Sequence, residues 1–249
     1  MLLRTVPAQV LGTNTSVLAD RPGEPGAPRE CLLVDVGLGV ADRLLALVEE
    51  LHLRPVAVLV THGHLDHVGE AADVARATGV PVVVHADDAY RLQDPVEGLG
   101  PQLRAMLAAS YGEVPWAPPD DVRCLADGDE VVAGDLRVRA VHAPGHTEGS
   151  TLYLVEDVPD AASVAAGGLP PGTGALPEGV ARTALTGDVL FAGSVGRTDL
   201  PGGDDVAMAA TLREVVLALP DDTFVVPGHG PATTMAAERA SNPFLARVR

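Results

Sequence analysis

The stretch Thr61-His62-Gly63-His64-Leu65-Asp66-His67 constrains the fold more than any other part of the chain. Val56 to Val60 before it is a short apolar, mostly β-branched run after a proline, the pattern of a buried strand. Val68 to Thr78 after it carries a helical pattern. The seven residues therefore form a turn at the carboxyl end of a strand, where open α/β sheets place their ligands. There His62, His64, Asp66 and His67 can converge on one point. Imidazole and carboxylate together suit zinc, iron or manganese. Three of the eight histidines of the chain fall in this turn, too many for a polar loop formed by chance.

The chain has 249 residues, enough for one large domain with an ample core. A formal charge of -17 disfavours nucleic acid and anionic membranes as partners, because phosphate recognition needs basic surface. All 17 basic residues are Arg. No apolar run reaches the ~18 residues of a membrane span. The start, Met1-Leu2-Leu3-Arg4-Thr5-Val6, lacks the basic and apolar regions of a signal peptide. The sequence thus predicts a cytoplasmic protein. Cys31 and Cys124 are far apart, in no metal-type spacing, and both lie in strand-like segments, so both are expected to be buried free thiols.

Strands are predicted over Met1–Val6, Val10–Ala19 and Cys31–Gly37, and an amphipathic helix over Asp42–Leu51 with Leu44, Leu45, Leu47, Val48 and Leu51 on one face. Val80–His85 is a strand and Asp87–Gln93 a short helix. Pro101–Tyr111 is a helix with Leu103, Met106 and Leu107 on one face. From Val122 the pattern turns to hairpins: Val122–Leu125, Asp129–Val132 and Leu136–His142, with Asp127-Gly128 and Ala133-Gly134-Asp135 as turns. Thr151–Val155 and Ala184–Asp188 are strands. Between them, Glu156–Arg182 is rich in Pro, Gly and Ala and is predicted as a mobile loop. Asp205–Leu219 is helical, Thr223–Val226 a strand, and Pro231–Ser241 a closing helix. Both halves run strands first and then helix-strand alternation. Two sheets packed face to face with helices outside is the simplest architecture.

Three later segments complete the chemistry of the opening turn. Ala143-Pro144-Gly145-His146-Thr147, Thr186-Gly187-Asp188 and Val226-Pro227-Gly228-His229-Gly230 each put a ligand-type side chain after a strand. Each is flanked by glycine, which lets backbone approach a bound ion. Each is weak alone, and together with the opening turn they are a strong signal.

In this order, the histidine-rich turn followed by His146, Asp188 and His229 resembles the metallo-β-lactamase fold superfamily over nearly the whole chain. The resemblance implies a single domain over residues 1–249, an α/β four-layer αβ/βα sandwich with a two-metal site at one edge. It implies that His62, His64 and His146 hold the first metal and that Asp66, His67 and His229 hold the second. Asp188 would bridge both. The implied reaction is hydrolysis by a metal-bridging hydroxide, with Asp66 orienting it, and with zinc as the first choice of metal, iron and manganese being alternatives. Ligand histidines need their second nitrogen anchored; Asp35, Thr61 and Ser150 are the candidate acceptors. His142 is expected to be structural or in the outer shell, and His85 and His52 structural or solvated.

Gly187 to Leu200, containing Gly196-Arg197-Thr198-Asp199, and the tail Glu238 to Phe244 resemble the glyoxalase II-like branch, the hydroxyacylglutathione hydrolases, in a compact form. That implies cleavage of S-2-hydroxyacyl thioesters, with Arg197 and Arg239 as candidate contacts to an anionic substrate. An arginine in such a loop more commonly pairs with a local carboxylate, here Asp199 or Asp204. Only about 20 residues follow His229, where full-length glyoxalase II adds a helical domain that holds glutathione with basic residues, so another thiol carrier is possible. Two other branches remain open. A persulfide dioxygenase reading uses one iron on His62 or His64, His146 and Asp188. A lactonase reading needs a placed tyrosine, and Tyr90, Tyr111 and Tyr153 are the only ones. The oligomeric state is not legible in the sequence.

Overall fold

The computed structural model describes residues 1–96, 99–112 and 116–248, without the side chains of residues 103, 110 and 111. The expected place of Leu103 on a helix face, and Tyr111 as a candidate, lie outside the described side chains.

The first sheet contains β1 (Leu2–Pro7), β2 (Asn14–Ala19), β3 (Arg29–Val34), β4 (Leu53–Leu59), β5 (Val82–His85) and β6 (Val122–Leu125), in that spatial order. β1, β2 and β3 pair antiparallel. β3 to β6 pair parallel. The second sheet contains β7 (Glu130–Ala133), β8 (Leu136–His142), β9 (Thr151–Val155) and β10 (Arg182–Gly187). A small hairpin, β11 (Leu190–Phe191) and β12 (Ser194–Val195), stands outside it. β13 (Thr223–Pro227) and β14 (Thr233–Thr234) then complete the order β14-β13-β10-β9-β8-β7, with β10 and β13 parallel.

Successive residues of the central strands point to different cores, as the strand period of two requires. On β3, Cys31 and Leu33 join an outer core while Leu32 and Val34 join the core between the sheets. On β4, Val58 goes outward and Ala57 and Leu59 inward. Both faces being covered explains why these strands read as unbroken apolar runs. The inner core meets Leu136, Val138, Tyr153, Leu185 and Phe224 of the second sheet. Helices α1 (Ala41–Glu50), α2 (Leu65–Val68) and α3 (Ala71–Thr78) belong to the first half, and α4 (Pro101–Tyr111) follows. Leu44 and Val48 of α1 and Val74 of α3 close the outer face of the first sheet. α5 (Ala161–Ala165) lies in the segment between β9 and β10. α6 (Asp205–Glu214), α7 (Met235–Ser241) and α8 (Pro243–Val248) bring Met208, Leu212, Met235 and Leu245 onto the outer face of the second sheet. This is the sandwich of two sheets between two helical layers that the sequence leads one to expect.

Four details differ from the sequence expectation. β6 is no hairpin partner of β7; it extends the first sheet, pairing parallel with β5 through Val82–Val122 and His85–Leu125. Its place at the sheet's edge leaves Cys124 exposed, whereas Cys31 is buried. The single helix expected over Val68–Thr78 is split into α2 and α3 around Glu70, whose carboxylate turns back to accept the N–H groups of Val40 and Ala41 at the start of α1, at 2.8 and 2.6 Å. Finally, the segment expected as a mobile loop over 156–182 covers the free edge of β1. Leu3 N–H donates to Ser163 Oγ, Thr5 N–H to the Gly168 carbonyl, and the Met1 ammonium to the Val158 carbonyl. An open strand edge carries unpaired backbone groups, and this segment pairs them. Among the described residues, no helix is long and apolar enough to cross a membrane.

Candidate metal centre

Every candidate ligand follows the carboxyl end of a strand or begins the helix after it. His62 and His64 follow β4, and Asp66 and His67 lie in α2. His146 follows β8, Asp188 follows β10 and His229 follows β13. β8, β10 and β13 run the same way, so their ends share one edge of the second sheet. That edge meets the β3–β4 edge of the first sheet. Thr151 N–H donates to the Thr61 carbonyl at 2.9 Å, tying the two edges together.

The seven side chains form two adjoining groups. His62 Nε2, His64 Nδ1 and His146 Nε2 make a triangle with sides of 3.1, 2.9 and 3.1 Å. Asp66 Oδ2 lies 3.1 Å from His229 Nε2 and 3.6 Å from His67 Nε2, and the two imidazole nitrogens are 3.2 Å apart. Asp188 faces both groups: Oδ1 is 3.3 Å from His67 Nε2, and Oδ2 is 3.7 Å from His146 Nε2 and 3.6 Å from His229 Nε2.

The donor chemistry fits metal ions. Thr61 Oγ1 gives its proton to Asp35 Oδ2 at 2.7 Å and therefore accepts from His62 Nδ1 at 3.2 Å. His146 Nδ1 donates to the Arg197 carbonyl at 2.7 Å. Both rings thus present a bare Nε2 lone pair, and these two lone pairs face each other at 3.1 Å. That contact is repulsive unless a cation lies between them. A tetrahedral zinc site with bonds of about 2.0–2.1 Å holds its nitrogens roughly 3.3 Å apart. Asp188 Oδ1 is buried without a hydrogen-bond partner among the described residues, another atom suited to a cation.

Electrostatics differ between the two groups. Burial first, then the neighbouring imidazoles, push His62 well below the usual imidazole range. The same causes, led by burial and the His146 ring, take His64 down to about 3. Both are therefore neutral, the form that ligates a metal. Burial also opposes charge on His67, but the carboxylates of Asp188, Asp35 and Asp66 overcome it and raise its pKa well above the usual range. Burial raises Asp66 and Asp188, but the imidazoles of His67 and His229 together, with His64 acting on Asp66 and His146 on Asp188, outweigh it and lower both carboxylates.

The surrounding shell is partly as expected. Asp35 accepts from His67 Nδ1 at 2.8 Å and from the Thr61 N–H at 2.8 Å. It adopts a left-handed φ of 54° to do so, a conformation uncommon outside glycine. Ser150 anchors no histidine; its hydroxyl accepts from the Thr147 N–H instead. Close approach also demands glycine at 228, where a Cβ would strike Asp188 Oδ1 and come within 2.7 Å of His67 Cε1. Arg197 and Arg239 are not brought to the cluster. Arg197 forms a two-pronged pair with exposed Asp199, at 2.6 and 2.8 Å, while its carbonyl orients His146. Arg239 binds Asp221 and the carbonyls of Leu217 and Leu219. His142 and His85 stack with ring centroids 4.0 Å apart, and His142 Nε2 bonds the Glu148 carbonyl. Tyr153 is fully buried and donates to the Val60 carbonyl, and Tyr90 is exposed beside His64.

Two supporting residues escape sequence reasoning. Asp88, fully buried, accepts from the N–H groups of Gly63 and Gly149, both at 2.8 Å, from Thr147 Oγ1 at 2.7 Å and from Arg91 Nε at 3.3 Å. Asn14, at the start of β2, gives its side-chain amide to the carbonyls of Pro227 and Gly230 on either side of His229. Nothing in an Asp-Asp pair or a Thr-Asn-Thr turn signals these contacts.

Residues 10–163 match the family model Lactamase_B, described as the metallo-beta-lactamase superfamily. An uncharacterised protein of Mycobacterium tuberculosis is 36% identical over 98% of both chains. The hydroxyacylglutathione hydrolase GloC of Haemophilus influenzae is 31% identical, again over 98% of both. Among solved structures, the BLEG-1 B3 metallo-beta-lactamase superposes with a TM-score of 0.72 at 29% identity, covering 98% of this chain and 99% of the other. ETHE1 from Myxococcus xanthus superposes at 0.70 with 26% identity, over 99% and 85%. TTHA1623 in a di-iron-bound form superposes at 0.67 with 30% identity, over 96% and 99%.

Proposed function

The chain belongs to the metallo-β-lactamase superfamily, and on that premise we propose that it is a two-metal hydrolase of small thioesters, of the hydroxyacylglutathione hydrolase type. The observation that carries this reading is the second group, Asp66, His67 and His229, complete beside the first. A mononuclear enzyme has no need of His229 held 3.1 Å from Asp66. The likeness to GloC supports a thioester as substrate.

In this reading His62, His64 and His146 would hold one divalent ion and Asp66, His67 and His229 the other, with Asp188 facing both groups. Zinc is the first choice, with iron or manganese accepted by the same donors. Such ions supply Lewis acidity toward a water and toward the thioester carbonyl oxygen. The chain's own residues do the rest. Asp66 orients the attacking water. Asp35, Thr61 and the Arg197 carbonyl hold the Nδ1–H of His67, His62 and His146, so that each directs its Nε2 at the site; on His67 a bound ion would replace the proton that the surrounding carboxylates stabilise. The water oxygen bonds the carbonyl carbon, the C–S bond breaks, and the departing sulfur takes up a proton. The products are a free thiol and a hydroxy acid. The charge of -17 favours a small molecule over nucleic acid or an anionic membrane as partner.

The likeness to ETHE1 supports a second reading, persulfide dioxygenation at one iron on His62 or His64, His146 and Asp188. Metal content, measured together with hydrolysis of the lactoyl thioesters of glutathione and of N-acetylcysteamine, tests the first reading. Two equivalents per chain with hydrolysis supports it; one iron per chain without hydrolysis rejects it.

A further inference from the structure

A cleft of about 580 Å³ opens directly beside the metal centre, with Gly63 and His64 in its wall. Its size falls within the range of about 300–1,000 Å³ typical of pockets for small organic ligands. That is far more room than a lactoyl group needs, so the cleft has space for the other half of a thioester, the thiol carrier. The remaining wall is mainly apolar: Tyr90, Pro95, Leu99, Leu200 and Pro201.

The charges in this wall are unfavourable to carboxylates. Among the described residues that line it, Arg91 is the one cation. Its Nε faces Asp88 at 3.3 Å, and its Nη2 is bound to Glu148 at 2.6 Å and to the Pro201 carbonyl at 2.8 Å. Two carboxylates therefore already answer one guanidinium. The hydroxyl of Tyr90 is turned to Glu148, at 3.2 Å. Arg197, the other arginine near the centre in sequence, lines a separate cleft and is paired with Asp199. An incoming carboxylate would lose its hydration here and gain no unpaired cation from the described lining residues; Arg104 is not among them, its Nε donating to the Leu99 carbonyl at 2.8 Å.

Resting on the thioester-hydrolase reading, we propose that this cleft receives the thiol half of the substrate and selects a carrier thiol that bears no carboxylate. Glutathione, with its two carboxylates, is then a poor carrier for this chain. Specificity comes from the apolar wall and from carboxylates that would oppose an anionic tail.

The test compares three lactoyl thioesters on metal-loaded protein: those of glutathione, of glutathione diethyl ester and of N-acetylcysteamine. Calorimetry with S-methylglutathione and its diethyl ester, which cannot be cleaved, gives a readout independent of turnover. The expected result is a kcat/KM at least tenfold higher for the diethyl ester than for the free acid, arising mainly in KM, with the N-acetylcysteamine thioester also cleaved. The non-cleavable ester should bind correspondingly tighter than its acid. Leu99→Arg, which adds a cation to the wall, should narrow the difference. Equal or better cleavage and binding of the free acid overturns the proposal. If no thioester is cleaved, the hydrolase reading falls. Binding then still decides the cleft: ester over acid upholds its selectivity, and acid equal to or above ester overturns it.

Discussion

The carboxylate of Asp88 accepts the backbone N–H of Gly63 at 2.8 Å, fixing the turn between His62 and His64 from below. Its other oxygen accepts from Gly149, so one buried side chain joins the ligand turn of the first half to the loop carrying His146. Removing it in Asp88→Ala takes their acceptor from the N–H groups of Gly63 and Gly149 and from the Thr147 hydroxyl, and leaves Arg91 with Glu148 as its one carboxylate partner. Loss of one partner of a buried charged network costs about 3–5 kcal/mol. At roughly 2–4 °C per kcal/mol for a chain of this size, the melting temperature should fall by roughly 6–20 °C. A scan showing less than 2 °C of change would remove Asp88 from this role.

Asp188 faces a nitrogen from each group, and Asp188→Asn keeps its shape while removing its charge. Metal content should drop by at least one equivalent per chain with an unchanged circular dichroism spectrum. Full occupancy in the variant, measured by elemental analysis, would contradict a bridging role.

Gly228→Ala pushes a methyl group against Asp188 Oδ1 and His67 Cε1. Displaced ligands bind metal less tightly, and changes around a metal site typically cost about 10–100-fold in affinity. Competition against a chelator measures this directly, and an unchanged affinity would show that the backbone can retreat without moving the ligands.

The two thiols should differ in reactivity. Burial pushes the Cys31 pKa up to about 12, so at pH 8 it is an uncharged thiol shielded from solvent, while Cys124 is exposed. Only the thiolate reacts, so Cys31 would gain reactivity only well above pH 8. A disulfide-exchange reagent at pH 8 should label one equivalent quickly and the second only after denaturation. Rapid labelling of both would contradict the burial of β3.

Deleting residues 158–179 exposes the edge of β1 and removes buried Leu169 and the Ser163 bond to Leu3. A fall in melting temperature of more than about 5 °C is expected, since each kcal/mol lost shifts it by roughly 2–4 °C. An unchanged value would return this segment to the status of a dispensable loop.

Which parts were legible in the sequence follows from the range of the interactions. His62, His146 and His229 stand out because each is a ligand-type residue beside a strand end and a glycine, a signal contained in a few residues. The alternation of Leu32 and Leu33 is equally local. The partners of β6 are not: four residues separate it from β7, which suggests a hairpin, yet its pairing is with β5 across a longer connection. Asn14 carries no local mark because its acceptors come from the other half of the chain, and Asp88 because its donors are spread from Gly63 to Gly149. The Pro- and Gly-rich composition of 156–182 describes its backbone but not the open strand edge it covers. Arg197 makes the local pair with Asp199 that the sequence already offered beside a substrate contact, whereas the partner of Arg239, Asp221, is one only the fold shows.

The central claim, hydrolysis of a small thioester at a two-metal site, is tested most directly by one comparison on protein of known metal content. Thiol release from lactoyl thioesters is followed under argon and in air, beside oxygen uptake with glutathione persulfide. The account predicts thiol and hydroxy acid in equal amounts at the same rate with or without oxygen, and loss of that activity in His229→Ala. Oxygen uptake with the persulfide and no cleavage of any thioester would contradict it.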